Sequence, residues 1–236
     1  MRGPAPETNF TTPQPGIVNV PDVIPIFPLP KVVLLPGEVL PLHVFEPRFT
    51  ALVRDAIASH RVIGMVEYLP GHENDQIAAP PVREVGCVGL IVQHEKLPNG
   101  RFMLWLIGLE RFRIESELEP ATSYRQVRVE YLPTEESSKR LAGIRPLRQE
   151  LRTLLPGLVD LDDASREQFA RHMSEISDTQ LVALACQILE LSSGRKQEVL
   201  EADALSDRFL MVYEDLYRHL DRNPEFEAFG PPEDLN

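Results

Sequence analysis

Hydrophobic and polar positions recur with two different periods along this chain, and the change of period falls near Pro133. From Val23 to about Leu132 the apolar residues come in short runs rich in β-branched side chains, broken by Gly and Pro, which is the pattern of β-strands. It predicts strands over Val23–Phe27, Val39–Val44, Arg61–Tyr68, Val85–Gln93, Arg101–Ile107, Arg111–Glu117 and Tyr124–Tyr131. Leu97-Pro98-Asn99-Gly100 joins two of them, and Asn99-Gly100 suits the positive φ angles of a tight type I′ hairpin. The run Phe102–Ile107 is apolar on both faces, which predicts a central strand covered on each side. One helix interrupts the strands. Pro47 fits its first turn, where a missing N–H costs nothing, and Phe49, Leu52, Val53 and Ile57 follow at helical spacing.

Beyond Pro133 the period lengthens to that of helices. Thr134 is a candidate cap for a helix carrying Leu147, Leu151, Leu154 and Leu155, with Pro146 predicting a kink or a late start. Asp162 or Asp163 can cap a second helix through Phe169 and Met173. Asp178 can cap a third, whose Leu181, Leu184, Ala185, Ile188 and Leu189 form one apolar face ending at Gly194. A last stripe runs through Leu205, Phe209, Val212, Tyr213, Leu216 and Leu220 to Asn223-Pro224. The fold class expected is α+β, with residues 23–133 as the β unit and 134–223 as a helical bundle. Residues 1–22 read as a flexible leader and 224–236 as a loose acidic tail.

Composition narrows the function classes. With 43% hydrophobic residues over 236 positions the chain can bury a sizeable core. Its net charge of −12 is concentrated in the second half, where residues 134–236 hold 12 basic and 21 acidic side chains. Such a balance argues against nucleic acid, which demands an excess of Lys and Arg on one face. The first twenty residues hold no apolar run of a secretory signal, and no window approaches a membrane span, so a cytoplasmic protein without a membrane partner is expected. Cys87 and Cys186 lack any paired spacing and are expected to be buried thiols.

The stretch IPIFPLPKVVLLPGEVLPLHVFEPRFTALV, residues 24–53, resembles the opening of the N-terminal, substrate-binding domain of the Lon proteases. The match runs through Pro25 to Leu29, Leu34 to Gly37, Leu40 to Leu42 and Val44 to Phe49. It continues in order at Val85–Gly89, Leu97–Arg101 and Ile107–Phe112, and more weakly at Lys196–Glu201 and Asp203–Arg208. The resemblance covers residues 23 to about 221. It implies a PUA-like twisted β pseudo-barrel followed by a helical subdomain, and a role in binding polypeptide.

Within this motif Pro36-Gly37 reads as a turn, Glu46 as a carboxylate at the positive end of the helix begun by Pro47, and Arg48 as a partner for a carboxylate across the barrel mouth. The apolar residues near loops, Leu34, Leu35, Phe45, Tyr68, Leu69 and Leu97, are the candidates for contact with polypeptide.

The motors of the full-length Lon proteases have no counterpart among these residues. No GxxxxGK[ST] loop occurs, and none of Lys31, Lys96, Lys139 and Lys196 follows a phosphate-cradling sequence. Ser137-Ser138-Lys139 reads as a polar helix start rather than a serine-lysine dyad, and Glu135-Glu136 as acidic residues at that start. The six histidines lack metal-ligand spacing. The expected function is non-catalytic and cofactor-free. Its partners would be unfolded or specific polypeptides, including a protease or chaperone acting in trans. RNA binding, known for other PUA-like barrels, and an enzyme of unknown chemistry are the alternatives.

Overall fold

The computed structural model describes residues 20–72, 80–134 and 142–222. The expectations for residues 1–19, Glu135-Glu136, Ser137-Ser138-Lys139 and the tail from Asn223 onward lie outside them.

The described residues form six strands and six helices, against the seven strands and five helices that the periodicity predicts. The strands are β1 (Val23–Leu29), β2 (Val39–Val44), β3 (Val62–Glu67), β4 (Val85–Lys96), β5 (Phe102–Glu117) and β6 (Gln126–Leu132). Helix α1 (Pro47–Ala58) lies between β2 and β3. After β6 come α2 (Arg145–Leu154), α3 (Asp163–Glu175), α4 (Asp178–Ile188), α5 (Ser193–Glu201) and α6 (Leu205–Arg222).

The sheet order is β2-β5-β4-β3-β1-β6, and β6 pairs again with β5. Five strands therefore close into a small barrel, and β2 extends from it. This closure is possible because β5 is long. Its first half, Phe102–Ile107, carries β2 along one edge, and its second half, Arg111–Glu117, carries β6. Two separate strands were expected here, but Gly108 does not break the strand. It lets β5 pass tightly beneath the chain at Leu35, whose carbonyl oxygen would lie 2.1 Å from a Cβ at that position.

The barrel interior is filled by Ile24, Ile26, Val62, Val66, Val88, Phe112, Val127 and Val129. Gly64 and Gly86 make room for the Phe112 ring, which would lie within 3.0 Å of a Cβ on either. A second, larger cluster lies between the barrel and the helices. It joins Leu34, Leu35, Cys87, Leu104 and Leu106 from the β half to Leu151, Leu181, Val199, Phe209 and Val212 from the helical half. The barrel thus has an interior of its own, and the two halves share the second, larger core.

Several local readings change in detail. The connection between β4 and β5 is a three-residue loop, Pro98–Gly100, closed by Leu97 N–H donating to the Arg101 carbonyl at 2.9 Å. Asn99 and Gly100 both take positive φ as their sequence suggested, but Pro98 adds a residue to the loop. Helix α2 begins late, with Pro146 in its first turn. Ile144 stands at its start, Thr134 accepts from Arg208, and the residues that would follow Thr134 as a helix cap lie outside the described ones. Asp162 caps α3 through the Ser165 N–H. The third helix is capped by Ser177 rather than Asp178, in a reciprocal capping box with Gln180. It ends at Ile188, and Gly194 lies inside α5, a separate helix that Ser192 caps. No helix among the described residues is long and apolar enough to cross a membrane.

The close passage at Gly108 makes a direct prediction. Gly108→Ala should lower stability by about 1–3 kcal/mol, since the added methyl meets backbone that cannot swing aside. Urea unfolding of the variant should show an earlier midpoint; an unchanged midpoint would contradict the packing described.

Candidate functional site

The motif residues Leu34 to Glu38 form the turn from which β2 starts. Glu38 N–H donates to the Leu35 carbonyl at 3.0 Å, and Gly37 holds a φ of +84° in the third position, so this is a type II turn. The turn is fastened on both sides. Gly37 N–H donates to the Gly108 carbonyl and Gly108 N–H to the Glu38 carbonyl, each at 2.8 Å. On the opposite side, a Cβ on Gly37 would lie 3.1 Å from the Gln180 Cα, so the first turn of α4 sits flush against it.

Glu38 is buried, and its carboxylate is satisfied from three directions. It accepts from the Leu35 N–H at 2.9 Å, from Gln187 Nε2 at 2.9 Å and from Lys196 Nζ at 3.3 Å. Arg111, 2% exposed, ties the halves together a second time. Its guanidinium donates to the carbonyls of Leu200, Ala202 and Asp203, closing the C-terminal end of α5. Burial pushes Arg111 below the usual arginine range, opposed by Asp203. Burial likewise pushes both thiols up, Cys186 to about 12, so they stay protonated and act as packing.

From this anchored start, β2 runs along the edge of the sheet, hydrogen-bonded only to β5 among the described residues. Pro41 suits such a strand, because it has no N–H to offer a ladder. The pleat sorts the side chains. Leu40, Leu42 and Val44 turn toward the shared core, whereas Pro41, His43 and the following Phe45 face outward and are exposed. Opposite them on β5, Leu104 and Leu106 are fully buried, while Met103 faces His43, Trp105 faces Pro41, and both are only half-buried. Gln93 and Glu95 of β4 lie next to Trp105 and Met103 and are exposed. The Phe45 side of this face is capped by the His43 ring at 5.9 Å between centroids.

The expectation that Phe102–Ile107 is covered on both sides is therefore corrected. The strand is central in the sheet, but its outer face at Met103 and Trp105 has only partial cover. The result is an outer face of Pro41, Phe45, Met103 and Trp105, with His43 among them and Gln93 and Glu95 along its β4 side. Phe45 is 61% exposed, one of only two large hydrophobic residues so exposed among the described residues.

The six apolar candidates from the sequence separate in space. Leu34 and Leu35, 1% and 3% exposed, belong to the core beneath the turn and present no surface. Tyr68 is also buried, bridging to Val82, and Leu69 beside it is half-buried. Phe45 and the half-buried Leu97 lie at one end of the sheet, since Val44 and Lys96 both pair with Phe102. Arg48 does not reach across the barrel mouth. The first turn of α1 directs it back to Glu46, at 3.0 Å, and over the Phe49 ring at 4.3 Å. Glu46 spends its carboxylate on Arg48 and makes no capping bond, although it stands at the helix start with Pro47 in the first turn. Both side chains are well exposed, so the pair adds little stability. Pro41, His43, Met103 and Trp105 were missed by the sequence reading. Pro41 in a strand and the single tryptophan were the available signals.

The family model described as the ATP-dependent protease La (LON) substrate-binding domain matches residues 23–218. Lon protease 2 of Myxococcus xanthus is 32% identical over 215 residues, 86% of this chain and 25% of that protein. Lon protease of Anaeromyxobacter dehalogenans is 30% identical, over 86% of this chain and 24% of its own length. The chain thus spans about a quarter of the curated relatives it matches. Among solved structures, the N-terminal domain of Mycobacterium avium complex Lon protease superposes with a TM-score of 0.66 at 18% identity, covering 84% of this chain and 100% of that one. A Lon N-terminal domain protein from Xanthomonas campestris gives 0.59 at 24% identity, covering 83% and 97%. At these identities the two structures speak to the fold.

The contrast in burial can be measured. Leu34→Asp should cost several kcal/mol, because it places a carboxylate in the shared core, whereas Phe45→Ala should change stability by no more than about 0.5 kcal/mol. Urea titrations of the two variants check this; similar midpoints would mean that the two residues are not buried so differently.

Proposed function

Since this chain belongs to the family of the ATP-dependent protease La (LON) substrate-binding domain, we propose that it is a polypeptide-binding module and that polypeptide lies on the outer face of β2 and β5. The single observation that carries this reading is the apolar face itself. Phe45 stands exposed on the same outer face as half-buried Met103 and Trp105, with the tilted His43 ring against it. Exposed apolar surface bordered by polar residues is the form that protein-binding sites take.

The chemistry of the face suits an unfolded or extended segment better than one fixed sequence. Apolar burial is non-directional, and fully burying an aromatic side chain is worth about 1.5–3 kcal/mol. Met103 adapts its shape to different neighbours, while Trp105 and Phe45 supply rigid area. His43 within the face, and Gln93 and Glu95 at its margin, offer hydrogen-bonding groups to a bound backbone. Leu97, at the same end as Phe45, extends the surface. Leu34 and Leu35 act from the core beneath, and Tyr68 lies apart from this face.

The reading is non-catalytic. Recognition needs no nucleotide or nucleophile, and hydrophobic contact alone discriminates unfolded chains from folded ones. The protein would act in the cytoplasm, in quality control or as an adaptor, presenting polypeptide to a protease or chaperone in trans.

Purified protein should capture fluorescein-labelled unfolded casein, with affinity nearly constant between about 50 and 200 mM salt, where phosphate-directed binding would collapse. Phe45→Ser combined with Met103→Ser should weaken capture by about tenfold or more. Cleavage of the casein, ATP turnover, or salt-sensitive RNA binding in its place would refute the reading.

A further inference from the structure

The edge strand that carries half of this face has one hydrogen-bonded neighbour, so its pose depends on how its ends are held. Its C-terminal end runs through Phe45 and Glu46 into α1. Its N-terminal end is Glu38, immediately before Val39, and there the hold comes from the other half of the molecule. The Glu38 carboxylate takes donors from Gln187, 149 positions away, and Lys196, 158 positions away. Gly37 beside it is pressed against the first turn of α4. In the opposite direction, Glu38 shares its backbone with the sheet through the Gly108 N–H. One buried carboxylate therefore links the helical half to the start of the strand that presents Pro41, His43 and Phe45.

We infer that Glu38 is a positioning residue for the polypeptide-binding face, through which α4 and Lys196 of α5 set the pose of β2 against β5. The inference rests on the polypeptide-binding reading of that face and adds a regulator to it. The carboxylate makes no contact with polypeptide. A shift of the helical half moves the strand start, because Gln187 and Lys196 grip the side chain whose backbone begins β2. The register between Pro41 and Trp105 transmits that movement to the face. Affinity then depends on helices that polypeptide does not touch, and anything that engages α4 or α5 gains a route to change it. Coupling of this kind is reciprocal, so bound polypeptide changes the helical half in turn.

The protein holds its own reporter, because Trp105 is its only tryptophan and lies opposite Pro41. In the Glu38→Gln plus Lys196→Met variant, which removes both buried charges together, the emission maximum and acrylamide quenching of Trp105 in the free protein should shift. The Kd for unfolded casein should rise about fivefold or more. Gln187→Leu keeps the ion pair and removes one donor; it should move both readouts in the same direction by less, and it serves as the test if the double variant does not fold. A lower thermal midpoint with Trp105 emission, quenching and casein affinity all as in the wild type would overturn the inference, leaving the network a purely stabilising role. A shifted Trp105 signal in a protein whose wild type fails to bind casein would support the positioning of β2 and count against the binding reading alone.

Discussion

The type II turn at Leu35–Glu38 is the constraint on which the rest of this structure depends. It lies between β5, where Gly108 allows backbone to pass at close quarters, and the first turn of α4, where Gly37 does the same. Two glycines are needed because two elements meet the turn from opposite sides. The positive φ of Gly37 adds a conformational demand that a side chain would meet with strain. Beneath the turn, Leu34 and Leu35 plug the shared core, and above it Glu38 recruits Gln187 and Lys196. A five-residue motif thereby joins barrel to helices by backbone, apolar and ionic contacts at once.

A partly buried ion pair such as Glu38–Lys196 is seldom a large source of stability, since desolvating the charges offsets much of their attraction. Its value here is directional. The carboxylate has one geometry in which the Leu35 N–H, Gln187 and Lys196 are all satisfied, and that geometry fixes the start of β2. Arg111 works in the same way at the end of α5, donating to the carbonyls of Leu200, Ala202 and Asp203, the last two of which it shares with Arg208. Apolar contacts between the halves supply most of the stabilisation, and these polar contacts select the arrangement in which it is realised.

Much of the fold was legible because local patterns and global packing agree. Strand alternation, Pro47 at the head of α1 and the stripe through Leu205 to Leu220 each describe one element on its own terms. The misreadings share a cause, which is that a residue's role was set by something distant in sequence. Gly108 looked like a strand end and proved to be a crossing point for Leu35. Leu34 and Leu35 looked like loop-borne contact residues because the core that buries them is assembled from elements distant in sequence. The run Phe102–Ile107 looked covered on both faces because periodicity cannot tell a second layer from open surface. Pro41 was consistent with an edge, since it has no N–H to offer a ladder, but Pro25 and Pro28 in β1, which pairs with both β3 and β6, show that a proline alone does not mark one.

The central claim, that the turn fuses barrel and helices into one cooperative body, is tested most directly by native-state hydrogen exchange. The amides of Leu35, Gly37 and Gly108 should exchange only through global unfolding, with the same opening free energy as buried amides of β5 and α4. Helical amides that exchange through a separate, easier opening while the barrel stays protected would contradict it.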